Sequence, residues 1–176
     1  SRLYPWLYAD LKEQHGGEIY EWPDGLGANG LWYHKDILEA NGWEIPDSYT
    51  HLLELFEEIE EEGLVPIIAG PRSDFSGGHL FGAIMQSTAG RQQVSDLLSG
   101  KAAWTDPSFV ESAARLKGLV GQGFMPKEAV ALNLDEASRF WFNKRAMFIV
   151  AGPWLTTRAN QANFDLQNAG FASMPS

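Results

Sequence analysis

Apolar positions recur along the chain with a helical period in some stretches and as short unbroken runs in others. A helix is predicted from Ser48, a favourable N-cap residue, because the apolar residues that follow fall on one helix face. The runs 65–69 and 146–151 carry no charge, as expected of strands that are covered on both faces. Helices that alternate with short apolar strands predict an α/β fold with helix in excess. The apolar face of the Ser48 helix comprises Leu52, Leu55, Phe56 and Ile59.

Turn residues and N-cap residues divide the rest of the chain. Residues 19–23 and 31–34 are predicted to form a hairpin-like pair of strands around a Gly-rich loop. Asp106 and Asp135 are expected to cap the helices that follow them. No internal repeat or linker interrupts the pattern, so one domain is predicted over residues 1–176. Further helices are predicted after Pro5, at 36–40, at 79–85, around 94–98 and after Asp106, the last with Phe109, Val110, Ala113, Leu116, Leu119 and Val120 inward, and a final strand is predicted at 169–175.

Residues 140–154 are the stretch around which the prediction is organised. Asn143 is placed in a tight turn, where a residue that tolerates left-handed backbone is favoured. The strand that follows ends at Gly152-Pro153, and a loop then presents Trp154 on the C-terminal side, where α/β sheets carry their ligands. A Trp held by such a turn is a rigid apolar plate suited to stacking on a sugar ring. The alternative is that Trp154 only covers the core.

Composition excludes several classes of function. The 176 residues have a net charge of −10 and no basic block, which argues against binding to nucleic acid or to an anionic membrane surface. There is no cysteine and the four His residues lack ligand spacing, so no metal or cofactor is predicted. No apolar run approaches the roughly 18 residues that would cross a bilayer. Seven Trp, ten Phe and five Tyr fit carbohydrate binding, and they also fit a large core.

His79 is a second candidate for function. It lies where a loop rich in Gly, Ser and Asp meets a helix, a position from which a side chain can face a cleft. A single His is also common as a structural residue. The local pattern therefore leaves both interpretations of His79 open.

The chain carries four short motifs whose order along the sequence is typical of one protein family. They are Tyr33-His34-Lys35-Asp36; Pro46-Asp47-Ser48 with Leu52; Lys101 to Pro107; and Phe140, Asn143 to Met147 and Gly152-Pro153-Trp154. In this order they resemble the extracellular solute-binding proteins of ABC importers for sugars and oligosaccharides. The family has Tyr-Asn-Lys-Asp at the first motif and Gly where this chain has Asn143. The resemblance extends over nearly the whole chain.

The resemblance implies one lobe of a type II periplasmic-binding-protein-like fold, with a small mixed sheet flanked by helices. Members have two lobes that close on the ligand, and the match here corresponds to the second, C-terminal lobe. The chain is therefore expected to be an excised domain, a proteolytic fragment or a natural single-lobe relative. The implied partners are a small carbohydrate, the first lobe and the importer permease. A periplasmic or extracellular location is likewise implied by the resemblance.

The resemblance also implies the ligand contacts. Trp154 corresponds to the platform on which a sugar ring stacks. His79 falls near a position where members place a polar or aromatic contact, with Phe75 and Gly78 in the same loop. Asn29 and Trp22, in the turn of the first predicted hairpin, are further candidates.

Two other functions remain as alternatives. A carbohydrate-active enzyme needs two carboxylates about 5–9.5 Å apart, and the only loop acids near the proposed site, Asp24 and Asp74, are not paired by the sequence. The prediction is therefore a protein that is not an enzyme. A stand-alone interaction module would instead cover its exposed lobe face with a partner or by self-association.

Overall fold

The computed structural model describes residues 4–20, 27–72 and 76–176. In these residues seven α-helices flank a four-stranded mixed sheet, which confirms the helix-rich α/β prediction. The helices are α1 (Pro5–Gln14), α2 (Lys35–Asn41), α3 (Tyr49–Glu61), α4 (Ser76–Leu98), α5 (Pro107–Gly121), α6 (Leu134–Phe142) and α7 (Trp154–Gln161). The strands are β1 (Gly30–His34), β2 (Val65–Ile68), β3 (Ala146–Ala151) and β4 (Ala169–Ala172), and short 3₁₀ helices occupy Lys127–Ala131 and Leu166–Asn168.

The sheet has the strand order β2-β3-β1-β4, with β2 parallel to β3 and β1 antiparallel to both of its neighbours. Leu31 of β1 lies opposite Val150 of β3 on one side and Ala172 of β4 on the other. The ends of β2, β3 and β4 and the start of β1 therefore share one edge of the sheet, which we call the loop edge. Chain segments from four parts of the sequence meet there.

The predicted hairpin between 19–23 and 31–34 is wrong. Both sides of β1 are occupied by β3 and β4, so a third strand has no place beside it. Ile19 and Tyr20 are outside any strand, and the remaining residues of that segment lie outside the described part of the chain. Distant hydrogen-bond partners, rather than the adjacent turn residues, determine the pairing of β1.

The core lies between the sheet and the helices. The four apolar residues predicted for α3 are all buried, and all six residues of β3 are buried, as predicted. Each of the large apolar side chains contributes about 1.5–3 kcal/mol by leaving water. Trp141 of α6 is fully buried, and its Nε1 donates to the Met147 carbonyl at 3.1 Å. The core thus holds β3 and its C-terminal end in place.

α5 packs against α4, and its inward face agrees with the predicted one only in part. Phe109 and Leu119 are buried, and Leu116 and Val120 pack against the core, as predicted. Its buried residues are Phe109, Ser112 and Leu119, whereas Val110 is 55% exposed and Ala113 is also exposed. Ser112 can be buried because its Oγ donates to the Ser108 carbonyl at 2.7 Å. The predicted inward face of α5 is therefore too wide, because it includes Val110 and Ala113. The segment 101–106 before α5, which carries one of the motifs of the resemblance, consists of turns and bends.

Two further local predictions are wrong. The N-cap of α6 is Asn133, which forms a reciprocal capping box with Glu136, and Asp135 lies in the first turn. The left-handed residue after α6 is Lys144, with φ of 56°, whereas Asn143 has φ of −80°. Lys144 forms an ion pair with Asp36, which fixes the turn against α2.

Candidate ligand-binding site

Trp154 lies at the loop edge, immediately after β3 and Pro153. It is the first residue of α7 and not part of a loop, so the prediction of a loop-borne Trp is corrected. Its ring packs over Gly152, where a Cβ would overlap the indole. The ring is half-buried, and the missing side chain of Gly152 determines where it can lie.

His79 lies in the first turn of α4 and faces Trp154. The two ring centroids are 4.8 Å apart and the ring planes are inclined by 41°. Burial lowers the pKa of His79 below its ordinary value, so the imidazole is neutral at neutral pH. A neutral imidazole offers one donor and one acceptor nitrogen.

Both rings have a buried nitrogen with an unused hydrogen-bonding capacity. Trp154 Nε1 and His79 Nδ1 are shielded from solvent and have no hydrogen-bond partner among the described residues. An unpaired buried polar group costs about 1–3 kcal/mol, so such groups call for an explanation in a native site. Two of them on rings in contact can be satisfied together by one polar ligand.

A groove with a volume of about 510 Å³ lies at the loop edge and begins one helical turn along α4 from His79, although neither His79 nor Trp154 is among the described residues that line it. The described residues that line it are all uncharged. The loop before β1 reaches it because Gly27 packs against Pro153, where an added Cβ would come within 2.9 Å of the proline ring. Lining residues include Gly82, Ala83, Gln86 and Ser87 on α4, Asn29 before β1 and Ser173 after β4.

The structure brings together some of the predicted site residues. His79 and Trp154 are in contact, Asn29 lines the groove, and Gly78 is exposed next to His79. Trp22 and Phe75 lie outside the described residues, as do Asp24 and Asp74. Within the described ranges, no group of three or more His, Asp or Glu side chains could hold a metal ion.

Sequence reasoning missed the α4 wall of the groove. Gly82, Ala83 and Gln86 follow His79 at i+3, i+4 and i+7, the spacing of one helix face. One signal for this wall was available in the sequence. Small and polar residues occupy helix positions whose spacing normally carries large apolar side chains. On that face Gln86 is exposed and Gly82 is half-buried, whereas Ala83 is buried and packs in the core.

The chain is similar to known proteins in sequence and in fold. No protein-family model matches the chain. Over 152 residues it is 23% identical to the diacetylchitobiose binding protein NgcE of Streptomyces coelicolor, a match that covers 82% of this chain and 32% of that protein. The chain is thus similar in sequence to a protein that is named for binding a sugar.

Solved structures of solute-binding proteins have the same fold. A chitin oligosaccharide binding protein superposes with a TM-score of 0.81 at 20% identity, covering 96% of this chain and 46% of that one. A probable secreted solute-binding lipoprotein from Streptomyces coelicolor gives a TM-score of 0.78 at 17% identity, covering 99% of this chain and 43% of that one. The chain thus spans between about a third and a half of the length of these solute-binding proteins. They are named as binding proteins and not as enzymes.

In the described parts of the chain, no helix combines the length and the apolar character needed to cross a membrane.

Proposed function

We propose that this chain is a carbohydrate-binding lobe of the substrate-binding component of an ABC sugar importer, equivalent to the second lobe of such a protein. The observation that carries the proposal is the contact between His79 and Trp154, whose buried ring nitrogens have no hydrogen-bond partner among the described residues. A groove of uncharged residues begins one helical turn along α4 from His79. The shared fold and the partial coverage of longer solute-binding proteins support the proposal.

Trp154 is proposed to stack its indole face on a sugar ring, because aromatic faces match the apolar C–H face of a pyranose. Its Nε1 and His79 Nδ1 would then pair with hydroxyl or carbonyl groups of the same sugar. Asn29 contributes a carboxamide from the opposite wall, and Gly78 leaves the approach to His79 open. Trp22 and Phe75 remain candidates through the family resemblance alone.

Chitin-type oligosaccharides are the first ligands to examine, because relatives are named for diacetylchitobiose and chitin oligosaccharide. The importer permease and the other half of the solute-binding protein are the proposed partners. An extracellular or periplasmic location accompanies this role, as one solved relative is named a probable secreted lipoprotein.

The decisive experiment is a titration of the chain with a panel of mono- and oligosaccharides, followed by Trp fluorescence and by NMR chemical shifts. Trp154→Ala and His79→Ala are expected to abolish a saturable response. Trp104→Ala is the matched control, because Trp104 is 60% exposed and its ring contacts Phe81 and Phe109 instead of the pair of His79 and Trp154. A response that survives in Trp154→Ala would refute the stacking role, and silence of the whole panel would refute sugar binding by this lobe.

Exposed aromatic residues favour one alternative, an interaction module. Tyr4 is 61% exposed and stacks on Trp6, itself 49% exposed, with ring centroids 6.2 Å apart on the surface of α1. Apolar surface of this kind marks contact sites for proteins. Sedimentation velocity over a range of concentrations tests self-association, and a concentration-independent monomer would count against it.

A further inference from the structure

We infer that a second groove, between α6 and α7, binds an acidic peptide segment of a partner protein, with Arg139 and Arg158 as the contacts for its carboxylates. This α6–α7 groove shares no lining residue with the groove at the loop edge. Peptide binding there goes beyond the proposed function and does not depend on it.

The α6–α7 groove has a volume of about 300 Å³ and follows the seam between the two helices. Its α6 wall runs from Asp135 to Phe142 at the spacing i, i+3, i+4 and i+7 of one helix face. Because a helix rises about 1.5 Å per residue, this wall is roughly 10 Å long, which is the length of about three residues of an extended peptide. The lining residues are Asp135, Ser138, Arg139 and Phe142 on α6 and Arg158, Gln161 and Ala162 on α7 and just after it.

Arg139 is a cation that the fold leaves unpaired. Asp135 precedes it by four residues on the same helix, a spacing at which Asp and Arg can form an ion pair. The Asp135 carboxylate instead accepts a hydrogen bond from Arg158 Nε on α7 at 2.8 Å. Arg139 is exposed and has no ion pair or hydrogen bond with the described part of the chain. The groove therefore holds two guanidinium groups and only one carboxylate.

Arg158 also retains hydrogen-bond donors. A guanidinium group has five N–H donors, and the pair with Asp135 uses the one on Nε. The two terminal nitrogens of Arg158 are left for a second acceptor. Arg139 and Arg158 can each hold a carboxylate through two parallel hydrogen bonds, the geometry that a guanidinium group favours.

The charge of the groove is opposite to that of the whole chain. The chain has a net charge of −10, whereas the side chains that line the groove carry one more positive than negative charge. An acidic partner is repelled by the chain as a whole, so a local excess of cations determines where such a partner can dock.

The other walls favour a peptide over a small anion. Phe142 is held by Phe164, with ring centroids 5.2 Å apart, and offers an apolar surface beside the arginines. Gln161 supplies a carboxamide that can pair with a peptide backbone group. A free phosphate ion would use the arginines and leave both of these surfaces without a contact.

The test is an NMR titration of the chain with a short peptide of alternating glutamate and alanine. The same peptide with glutamine in place of glutamate is the uncharged probe, and inorganic phosphate is the small-anion probe. We expect the acidic peptide to shift the signals of Ser138, Gln161 and the arginine Nε–H groups of the groove. The glutamine peptide should leave these signals unchanged, and phosphate should bind more weakly than the acidic peptide.

Two variants should change the affinity in opposite directions. Arg139→Gln is expected to weaken binding of the acidic peptide about two- to fivefold, the range of an exposed ion pair. Asp135→Asn should strengthen it by a similar factor, because it removes the carboxylate that competes for Arg158. Arg91→Gln is the matched control, since it makes the same change of net charge on α4, where Arg91 pairs with Asp10.

Each contrary result overturns the inference. These results are absence of shifts with the acidic peptide, equal affinity in Arg139→Gln and Arg91→Gln, or weaker binding in Asp135→Asn. Equal affinity for the glutamine peptide would remove the role of charge, and phosphate binding as tight as that of the peptide would assign the groove to small anions. The sugar titration is a separate measurement, so the proposed function can stand or fall independently.

Discussion

Gly152 determines the position of Trp154 at the scale of a single residue. The indole ring of Trp154 occupies the space that a Cβ at position 152 would need. Gly152→Ala must therefore displace the ring or shift the backbone between β3 and α7. We expect a loss of about 1–3 kcal/mol in the free energy of unfolding, measured by urea denaturation, together with a shift in Trp emission. Gly121→Ala, where the added methyl group meets open space, is expected to be neutral or stabilising. Equal stability of the two variants would contradict this packing.

His34 makes the stability depend on pH. It is fully buried, its ring stacks on Trp141 with centroids 4.3 Å apart, and its Nε2 donates to the Trp141 carbonyl at 3.0 Å. Burial lowers the pKa of His34 from 6.5 to about 4, against the weaker raising effect of that hydrogen bond. The neutral imidazole is therefore the form that the folded state accommodates.

The pKa of His34 predicts the sign of the effect. Between about pH 6.5 and 4 the unfolded chain takes up a proton that the folded chain does not. The free energy of unfolding should thus be highest above pH 6.5 and fall as the pH drops through this window, by about 3 kcal/mol in total. Urea denaturation at several pH values measures this slope, which His34→Asn should remove and His51→Gln, on the surface of α3, should retain. A slope unchanged in His34→Asn would assign the effect to other groups.

At the scale of elements, the capping box of α6 offers a direct comparison of the predicted and the observed cap. Asn133 Oδ1 accepts from the Glu136 amide at 2.9 Å, whereas Asp135 forms only an exposed ion pair with Arg158. Asn133→Ala should cost about 1 kcal/mol, and Asp135→Ala less, because exposed ion pairs contribute little. Chemical denaturation of both variants checks the order, and a larger loss in Asp135→Ala would contradict the assignment.

Local elements were predictable where the information is local. The buried face of α3 follows from its period, and its cap from Ser48, whose Oγ accepts from the His51 amide at 3.2 Å. The pairing of β1 was not predictable in this way. Its partners lie more than 110 residues away, in β3 and β4, so neither periodicity nor turn residues report them.

The same reasoning applies to the candidate site. Trp154 and His79 were each identifiable from their neighbours in sequence, but their contact depends on how α4 and α7 meet at the loop edge. The groove combines α4 with segments next to β1 and β4, three parts of the chain that only the sheet order brings together. Sequence reasoning could therefore name Trp154, His79 and Asn29 one by one, but it identified neither the α4 wall nor the groove.

At the scale of the whole molecule, the proposed function implies that this chain would supply one wall of a cleft. Ligand sites of small molecules bury about 70–90% of the ligand surface, and the chain covers 32–46% of the length of its relatives. We therefore expect the isolated chain to bind sugars with a Kd of about 1 mM, or roughly −4 kcal/mol. A longer polypeptide that supplies the opposite wall should bind orders of magnitude more tightly, because it desolvates the remaining ligand face and needs no additional contact from Trp154. NMR titration of the chain alone measures the first value, and micromolar binding there would show that this lobe is a complete site.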